Sequence, residues 1–339
     1  MAEKMNVAII GTGLQCKRRA PVVQQGKDTK IKVVVGKNKG DANQLAKEFN
    51  CEASYDWKSV VERKDIDIVI VCTPPNLHAP ISIAAMRAGK HVLCEKPLAK
   101  TVVEAQEMVR VARETKKILK CGFNHRHHPA VEEAKKLCDQ GILGKILFVR
   151  CRYGICARPE YEQEWRADPK QAAGGQLMEQ GVHAIDLIRW FLGDLKEATG
   201  MLSNHYLKKM PLEDDGMALF RSKNGATALV HTSLAQWKNL FSFEVFGEKG
   251  YALVEGLGGS YGEEKLIRGK HDANAPFRDE ITYFRGADKS WQEEWDVFIK
   301  AIKEKKQPIG NAQDGLEAMR AADAVYQSEK EKRIVMIAK

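Results

Sequence analysis

Short apolar runs alternate with longer mixed stretches through the first third of the chain. The runs lie at residues 6–10, 32–35, 67–72, 92–94 and 118–123. Because most positions in them are apolar, each run is typical of a strand buried on both faces, as in a parallel sheet covered by helices. Strands that alternate with helices predict an α/β domain, which we assign to residues 1–124.

The pattern changes in the rest of the chain, residues 125–339. A helix over Ala130 to Gln140 is followed by a strand over Ile146 to Tyr153, and strand-like runs then succeed one another. These later runs lie at residues 196–206, 215–222, 226–236, 240–246 and 250–256. Strands without helices between them predict an α+β domain with a large, mostly antiparallel sheet.

The turn after the first strand combines glycines with small or polar residues. It reads Gly11-Thr12-Gly13-Leu14-Gln15-Cys16. Glycines there allow a tight turn and let backbone N–H groups approach a pyrophosphate at the start of the next helix. Cys16 replaces the third glycine of the dinucleotide fingerprint, so the motif alone is weak. Its place in the first strand-to-helix turn favours a cofactor site.

The end of the second strand bears on the choice of cofactor. An acidic residue there usually binds the 2′-hydroxyl of the adenosine ribose. This chain instead reads Gly36-Lys37-Asn38-Lys39. Ammonium groups without a carboxylate favour a 2′-phosphate, so the sequence predicts NADP in preference to NAD. A lysine-rich solvated turn is the alternative.

Polar turns also follow the later strands of this domain. Cys72-Thr73-Pro74-Pro75-Asn76, with His78 beyond it, makes one stiff turn, and Glu95-Lys96-Pro97 ends the next strand. Ligands of parallel sheets bind at the carboxyl ends of the strands, so both turns are expected beside the cofactor. A proline restricts the residue before it, which makes Lys96 a candidate proton donor with a defined direction. A surface lysine beside a turn is the alternative.

The last strand of the first domain leads into a cluster of histidines. The stretch reads Asn124-His125-Arg126-His127-His128-Pro129. It has no carboxylate or cysteine at the spacing of a zinc site, so ordinary polar histidines are the favoured interpretation and no metal is expected.

A second candidate for acid–base chemistry lies at residues 174–187. As a helix, this stretch has an apolar face and a polar face. The apolar face holds Met178, Val182, Ile185 and Ile188, and the polar face holds Glu179, His183 and Asp186. A carboxylate one turn from a histidine can orient the imidazole as a base. A solvated or capped helix face is the alternative.

Composition narrows the classes of protein. The 339 residues are 44% hydrophobic and 29% charged, without an apolar run long enough to cross a membrane. Met1 to Lys4 run directly into the first strand, so no signal peptide is expected, and the eight cysteines lack a Cys-x-x-Cys pair and are interpreted as reduced. We therefore expect a cytoplasmic protein. The net charge of +9 comes from scattered lysines, which favours anionic small molecules over nucleic acid.

Over nearly its whole length, the chain resembles the glucose-fructose oxidoreductase, inositol dehydrogenase and rhizopine-catabolism family, called Gfo/Idh/MocA. The matching residues are Gly11-Thr12-Gly13, Thr73-Pro74-Pro75 with His78, Glu95-Lys96-Pro97, Asn124 with Arg126, Trp165-Arg166, Gly181-Val182-His183 with Asp186, and the closing stretch 295–302, Pro308 and Asp314-Gly315-Leu316. The resemblance implies a Rossmann domain followed by an open-faced sheet domain. It also implies an NAD(P)-dependent oxidoreductase of a sugar, cyclitol, sugar phosphate or nucleotide sugar, assembled as a homodimer or homotetramer through the exposed sheet face.

The resemblance also implies roles for particular residues. By position, Lys96 would bind the substrate oxygen and His183 would exchange its proton. The cofactor would be held by Gly11, Thr12, Gly13, Leu14, Gln15, Gly36, Lys37, Cys72, Thr73, Pro74, Asn76, His78, Glu95, Lys96, Asn124, Arg126, Trp165 and Arg166. The family usually has aspartate where Glu179 stands, so this carboxylate is expected to orient His183. Ala173 replaces the first of three usual glycines, which we expect to be tolerated.

Residues that select the substrate are expected in the loop before the His183 helix. Arg158 and Arg166 could clamp a phosphate or carboxylate, so the sugar could be anionic. Tyr161 or Trp165 could stack on a sugar face, and Tyr283 is a further candidate. Solvated loop arginines are the alternative.

Two other functions are compatible with the same motifs. One is an NAD-dependent glycosidase that oxidises a sugar carbon transiently and returns its cofactor unchanged. The other is a catalytically silent sensor that binds NADP. A sensor does not need a proton relay, so the presence of both Lys96 and His183 favours an enzyme.

Overall fold

The computed structural model describes residues 4–276 and 278–338. They form two compact units. The first contains the chain up to Phe123 with Lys170–Ala173 and Trp291–Leu316, and the second contains Asn124–Pro169, Gly174–Ser290 and the chain from Glu317 onward. Residues 1–3, on which the expectation about a signal peptide partly rests, lie outside the described residues. Of the helices in the described ranges, none has both the length and the apolar character needed to cross a bilayer.

The first unit is built on a parallel sheet. Its described strands are β1 (Met5–Ile10), β2 (Thr29–Val35), β3 (Glu52–Ser54), β4 (Ile68–Val71), β5 (His91–Cys94) and β6 (Leu119–Cys121). They lie in the order β3-β2-β1-β4-β5-β6 with parallel pairing, which confirms the predicted sheet. The chain adds β2 and β3 on one side of β1 and then adds β4, β5 and β6 on the other side, so the strand order reverses at β1. The crevice at the carboxyl ends of β1 and β4 is where such sheets bind ligands.

The helices of the first unit connect these strands. They are α1 (Leu14–Gln25), α2 (Lys39–Glu48), α3 (Trp57–Glu62), α4 (His78–Arg87) and α5 (Val102–Thr115). Cys16 and Leu45 pack with the sheet in a core that also includes Trp295 from a later helix. The predicted capping box of Thr101 and Glu104 opens α5.

The second unit contains a nine-stranded sheet among its described residues. The strands are β7 (Ile146–Cys156), β8 (Leu195–Ser203), β9 (Asp215–Ser222), β10 (Thr227–Ser233), β11 (Ala235–Gly247), β12 (Gly250–Glu255), β13 (Glu264–Lys270), β14 (Glu280–Phe284) and β15 (Val335–Met336). Their order is β14-β13-β12-β11-β7-β10-β9-β8-β15. The pair of β7 and β10 is parallel and the other described pairs are antiparallel, which confirms a mostly antiparallel sheet.

Helices cover one face of this sheet and leave apolar residues on the other. The other α-helices of the described residues are α6 (Pro129–Asp139), α7 (Val182–Leu192), α8 (Ser290–Glu304) and α9 (Ala312–Glu331). Of these, α6 contacts β12 and β13, and α7 contacts β7 and β10. Along β9, Ala218 and Phe220 are buried, while Met217 and Leu219 between them are exposed. The sheet therefore has an open face, as the predicted architecture requires.

Candidate active site

The turn after β1 requires glycine at its first position. Gly11 has φ +110°, and a Cβ there would lie 2.5 Å from the carbonyl oxygen of Cys72. A side chain would therefore collide with the main chain that follows β4. Gly13 has open space where a Cβ would be, and it directly precedes Leu14, the exposed first residue of α1. The backbone N–H groups at the start of this helix can donate hydrogen bonds to a bound anion.

Cys16 stands in the position of the missing third glycine. It is fully buried in the core of the first unit, and burial raises the pKa of its thiol to about 12. The thiol therefore acts as a small apolar side chain that packs α1 on the sheet. The altered fingerprint is compatible with the close helix–sheet packing that the glycine usually allows.

Three predicted cofactor ligands have buried polar atoms that lack a hydrogen-bond partner among the described residues. These atoms are Oε1 of Gln15, Oγ1 of Thr73 and Oδ1 of Asn76. Leaving such a group unpaired costs about 1–3 kcal/mol, so an unpaired buried polar atom in a native protein needs an explanation such as a ligand or an ordered water. Gln15 follows β1, and the other two residues follow β4 beside Pro74. All three fit the hydroxyl and phosphate oxygens of a dinucleotide at this edge of the sheet.

The turn after β2 has no room for a side chain at residue 36. A Cβ on Gly36 would lie 2.4 Å from Cγ2 of Thr12. Asn38 caps α2 by accepting hydrogen bonds from two backbone N–H groups of its first turn, and Lys37 is exposed beside it. Packing against the glycine turn therefore disfavours the usual acidic ribose ligand, and an exposed ammonium group lies next to its position.

A buried ion network holds Glu95. Nε of Arg19 donates to Oε1 of Glu95 at 2.5 Å, and Nη1 of Arg19 donates to Oε2 of Glu294 at 2.9 Å. Nζ of Lys120 lies 3.4 Å from Oε1 of Glu294, and all four side chains are buried. Burial alone would lower the pKa of Arg19, but the two carboxylates hold that pKa above its ordinary value. Glu95, a predicted cofactor ligand, thus has an internal partner that the sequence motifs do not indicate.

His78 holds the other side of the turn that carries Lys96. The Lys96–Pro97 peptide is cis, and the carbonyl oxygen of Pro97 lies 2.8 Å from Nδ1 of His78. The carbonyl oxygen of Thr73 lies 2.8 Å from Nε2 of the same ring. His78 therefore joins the two turns that the sequence predicts beside the cofactor, and the half-buried Lys96 follows directly after Glu95.

The segment that carries His183 is not a regular α-helix throughout. Leu177–Gly181 form a π-helical turn, and α7 begins at Val182. The predicted continuous helix is therefore wrong in this turn, because a π turn accommodates an extra residue and changes the angular position of the residues before it relative to His183. The two predicted faces also do not separate exposed from buried positions, since His183 and Asp186 are buried together with Ile185.

Glu213 fixes the start of this segment. Its carboxylate accepts hydrogen bonds from the N–H groups of Gly175 and Leu177, each at 3.1 Å, and from the hydroxyl of Tyr326 at 2.6 Å. A Cβ on Gly175 would lie 2.1 Å from the carbonyl oxygen of Glu213, and a Cβ on Gly174 would lie 2.3 Å from the Tyr326 hydroxyl. Both glycines are therefore needed for close packing.

Tyr326→Phe is expected to lower the free energy of unfolding by about 1–2 kcal/mol, because the buried carboxylate of Glu213 loses a donor. Burial raises the pKa of Glu213, and the Tyr326 hydroxyl counteracts that rise. When folding raises the pKa of a carboxyl group, the protein loses stability as the pH rises through that folded-state pKa. Tyr326→Phe should therefore lower the free energy of unfolding more at neutral pH than at mildly acidic pH. Urea unfolding at the two pH values measures the difference. Tyr283→Phe, on exposed β14, is the matched control, and equal losses at the two positions would contradict the role of the hydroxyl.

Among the described contacts, ring stacking holds His183 itself, and an ion pair holds the helix that carries it. Its ring lies flat against the ring of His125, with centroids 3.9 Å apart and planes 20° apart. Arg126 donates from Nε to Oδ2 of Asp186 at 2.7 Å and from Nη2 to Oδ1 at 2.6 Å. This bidentate pair ties the turn of Asn124–His127 to α7. Arg126, a predicted cofactor ligand, is thus a partner of the helix that carries His183.

The predicted substrate loop contains a ladder of ion pairs made by Arg158, Glu164, Arg166 and Glu179. Arg158 pairs with Glu164, and Arg166 contacts Glu164 at 3.3 Å and Glu179 at 3.1 Å. Nε of Arg166 donates the hydrogen bond that Glu179 accepts. Two cations and two anions alternate, so the formal charge of the ion-pair ladder is zero.

The aromatic candidates lie in different surroundings. Tyr161 is buried in a small apolar cluster with Ala157, and this burial raises the pKa of its hydroxyl. The guanidinium of Arg166 lies 4.2 Å from the ring centroid of Trp165. Tyr283 lies on the edge strand β14 and is 46% exposed. Stacking of a sugar on any of the three stays a prediction.

The other histidines of the cluster have carboxylate neighbours. Nδ1 of His128 lies 3.0 Å from Oε2 of Glu264, and Nδ1 of His127 lies 3.7 Å from Oε1 of Glu132. In the part of the chain that the structure describes, no three His, Cys, Asp or Glu side chains are grouped as metal ligands. His128 thus has a carboxylate within hydrogen-bond distance, whereas both ring nitrogens of His127 are buried without a hydrogen-bond partner among the described residues.

The sequence motifs do not identify Arg19, Glu213 or Tyr326 as part of the site. The one available signal is the run of acidic residues at 213–215 directly before a strand, where charge is unusual. Arg19 is one of several basic residues on α1, and its burial becomes visible only in the fold.

Both parts of the chain match models of one family. The model for the oxidoreductase family with an NAD-binding Rossmann fold matches residues 5–123, and the model for the Gfo/Idh/MocA C-terminal domain matches residues 131–253. The chain is 33% identical to a levoglucosan dehydrogenase of Pseudarthrobacter phenanthrenivorans over 65% of this chain and 63% of that protein.

Solved structures extend the similarity to the whole chain. A levoglucosan dehydrogenase in complex with NADH has a TM-score of 0.89 and 26% identity, with 99% of this chain and 100% of that chain covered. A 3-ketoreductase from Actinomadura kijaniata in complex with NADP and TDP-benzene has a TM-score of 0.84 and 25% identity, with 96% and 98% covered.

A glycine turn and buried polar atoms without hydrogen-bond partners lie at the carboxyl edge of a Rossmann sheet. Together with the relatives, this fold and site define the class as a nicotinamide dinucleotide-dependent oxidoreductase. The chain belongs to the Gfo/Idh/MocA oxidoreductase family, as its motifs indicate. The predicted enzyme class, an NAD(P)-dependent sugar oxidoreductase, is confirmed by the relatives.

Proposed function

We propose that this enzyme transfers a hydride between NAD(P) and a hydroxyl or carbonyl carbon of an uncharged sugar or cyclitol. The ion-pair ladder carries the choice of an uncharged substrate, because Arg158 and Arg166 already have carboxylate partners. Arginine binds phosphate through the same N–H groups that bind carboxylate. A sugar phosphate would therefore have to displace Glu164 or Glu179, whereas a neutral sugar can hydrogen-bond to the ladder as it stands.

The relatives allow both kinds of substrate. One is named for levoglucosan, an uncharged anhydro sugar, and the other was solved with a TDP compound. The charge balance of this chain's own loop is what favours the first kind. The expected clamp of a phosphate by free arginines loses its support, because each arginine has an acidic partner.

We assign the proton exchange to Lys96 and His183, on the basis of the family resemblance. Lys96 belongs to a turn that an ion network and a histidine fix on its two sides, which suits a group that must point at a substrate oxygen. The ring plane of His183 is fixed by a stacked neighbour. When bound, the nicotinamide ring accepts or supplies the hydride. Lys96 then holds the substrate oxygen at Nζ, and His183 takes up or returns the proton.

The cofactor that we favour is NADP. Gln15, Thr73 and Asn76 would bind its sugar and phosphate oxygens, since each has a buried polar atom free for that role among the described residues. Lys37 would bind the 2′-phosphate, because residue 36 has no space for a carboxylate and the ammonium group beside it is exposed.

We also propose a homodimer or homotetramer that assembles through the open face of the nine-stranded sheet. Exposed apolar residues are paired across its strands, with Met201 opposite Met217 and Leu219 opposite Leu229. A contiguous apolar patch on a sheet face is typical of a subunit interface. A cytoplasmic location stays the expectation from the cysteines interpreted as reduced.

Steady-state assays with matched substrates test the proposed function. Uncharged sugars and their phosphate esters are compared with NADP⁺ and NAD⁺ by following reduced nicotinamide. We expect kcat/KM to be at least about tenfold higher for the uncharged member of each pair, equivalent to about 1.4 kcal/mol. NADP⁺ is expected to give the higher kcat/KM of the two cofactors.

A loop variant separates charge from other effects. Glu164→Gln frees Arg158 and is expected to raise kcat/KM for the phosphate ester several-fold, with little change for the uncharged sugar. Glu160→Gln, an exposed position in the same loop, is the matched control. A wild-type preference for phosphate esters would overturn the substrate class, and cleavage of a glycoside without net change of the cofactor would identify a glycosidase instead.

A further inference from the structure

His125 is the stacking partner of His183, and it is not one of the motif residues on which the family resemblance rests. The two rings are nearly parallel, with centroids 3.9 Å apart, and both side chains are buried. Phe241 and Tyr153 pack against the His125 ring at centroid distances of 5.9 Å and 5.2 Å. The His125 ring therefore has aromatic neighbours besides His183, and its plane is fixed by packing.

Hydrogen bonds fix the same ring in its own plane. Nε2 of His125 lies 2.9 Å from the Tyr153 hydroxyl, and Nδ1 lies 3.2 Å from Oδ1 of Asn124. The amide nitrogen of Asn124 donates to Oγ of Ser290 at 3.0 Å. With its nitrogen engaged there, Asn124 offers His125 an oxygen that can only accept. Both ring nitrogens of His125 therefore have a partner within hydrogen-bond distance, which limits rotation of the ring in its own plane.

The network returns to the segment that carries His183. The hydroxyls of Tyr153 and Tyr261 lie 3.3 Å apart, and Nε2 of Gln180 donates to the Tyr261 hydroxyl at 3.3 Å. Gln180 belongs to the π-helical turn directly before α7. These contacts hold the segment by a hydrogen bond at Gln180 and by ring stacking at His183, in addition to the hydrogen bonds of Glu213 and the ion pair of Asp186.

We propose that His125 is a positioning residue that holds the imidazole plane of His183 for proton exchange with the substrate. The inference rests on the proposed function, in which His183 exchanges that proton. The direction of a ring nitrogen is set by the ring plane, so loss of the flat neighbour leaves rotation about the Cβ–Cγ bond less restricted. A misplaced catalytic group lowers kcat much more than it lowers substrate binding.

Three variants separate the flat face of His125 from its hydrogen bonds. His125→Phe keeps an aromatic face without ring nitrogens, Tyr153→Phe removes only the partner of Nε2, and His125→Leu removes the face. We expect His125→Leu to lower kcat about 10²-fold with KM changed less than threefold. The other two should keep kcat within about fivefold of wild type, because the stack remains. Cofactor affinity and thermal midpoint serve as checks that each variant is folded.

An NMR measurement tests the geometry without turnover. In a near-parallel stack with centroids 3.9 Å apart, the ring current of His125 is expected to shift the carbon-bound ring protons of His183 upfield. The chain has nine histidines, so the signal is assigned by its absence in His183→Ala. We expect the upfield shift in wild type and in His125→Phe, and its loss in His125→Leu. The wild-type spectrum decides the point even if the leucine variant does not fold, since an unshifted signal there overturns the inference.

The outcomes also separate this inference from the proposed function. If His183→Ala is inactive and folded His125→Leu has wild-type kcat, His125 is not a positioning residue. If His125→Phe falls as low as His125→Leu, the ring nitrogens rather than the stacked face matter, and the inference is wrong. If His183→Ala keeps full activity, the proposed proton exchange is wrong, and this inference fails with it for a different and visible reason.

Discussion

Replacing Lys96 with alanine is expected to lower kcat/KM about 10³-fold, within the range of a lost acid–base group. Its ammonium group is the assigned ligand of the substrate oxygen, and no methyl group can hold or exchange a proton there. The side chain is only half-buried and the substitution leaves the Arg19–Glu95 pair in place, so the midpoint of urea unfolding should stay near that of wild type. Initial rates at several substrate concentrations, with the unfolding curve of the same preparation, measure both quantities.

Two further variants show whether Lys96 acts with His183. Lys64→Ala, at an exposed turn, is the control for loss of a lysine and should keep wild-type rates. The double variant Lys96→Ala with His183→Ala should be little slower than either single variant, because groups that act as one unit are not additive. Near wild-type turnover in Lys96→Ala would rule out the assigned relay, and fully additive losses would mean that the two groups act independently.

Replacing Arg19 with alanine is expected to lower the free energy of unfolding by about 3–5 kcal/mol, the usual result of breaking a buried ion pair from one side. The substitution leaves the carboxylate of Glu95 buried without its cation, while Glu294 keeps Lys120 at 3.4 Å. Because Glu95 directly precedes Lys96, the variant should also lose activity when it is assayed below its unfolding temperature.

Arg18→Ala is the matched control for this loss. Arg18 is the exposed neighbour of Arg19 on the same helix, and its guanidinium lies 5.5 Å from the ring centroid of Trp291. An exposed change of this kind should alter the free energy of unfolding by about 0.5 kcal/mol or less. Equal unfolding curves for the two variants would mean that the Arg19 network contributes little to the fold.

The two sheets differ in how far the sequence predicts them. Five of the six described strands of the parallel sheet are largely apolar, so they appear as runs in the sequence, and β4 is buried at every position. The edge strand β3 is short and not buried, and it was not predicted. The edge strands of the other sheet were not predicted. In β14, four of five residues are exposed, and β15 has only two residues. A strand that is neither buried nor long leaves no periodic pattern in the sequence.

The candidate site shows the same division between local and distant information. The location of the predicted cofactor turns at the carboxyl edge of the parallel sheet could be predicted, because strand order determines where the carboxyl ends meet. The partner of Glu95 could not, because Arg19 is 76 residues away and nothing in one sequence pairs distant charges. The ion pair of Arg158 and Glu164 is a local one, six residues apart, and loop acidity could have indicated a neutral loop.

The π-helical turn before α7 is a third feature in which the structure differs from the helix predicted from the sequence. A periodicity of 3.6 residues assigns the stretch around Glu179 to one continuous helix. The hydrogen bonds from Gly175 and Leu177 to the carboxylate of Glu213 are made by residues far apart in the chain. The Glu213 carboxylate binds N–H groups at the start of the helical segment. The periodicity of apolar residues within a helix cannot reveal a partner that lies elsewhere in the chain.

The lack of space for a Cβ beside Thr12 at Gly36 constrains attempts to redesign the proposed NADP site for the unphosphorylated cofactor. Installing a carboxylate at residue 36 would be the obvious way to select the unphosphorylated dinucleotide. The new Cβ would lie 2.4 Å from Cγ2 of Thr12, so that single substitution strains the turn on which binding depends. A smaller residue at position 12 would have to be introduced at the same time. In laboratory evolution, the two changes should therefore be recovered as a pair, with each alone giving a weaker enzyme.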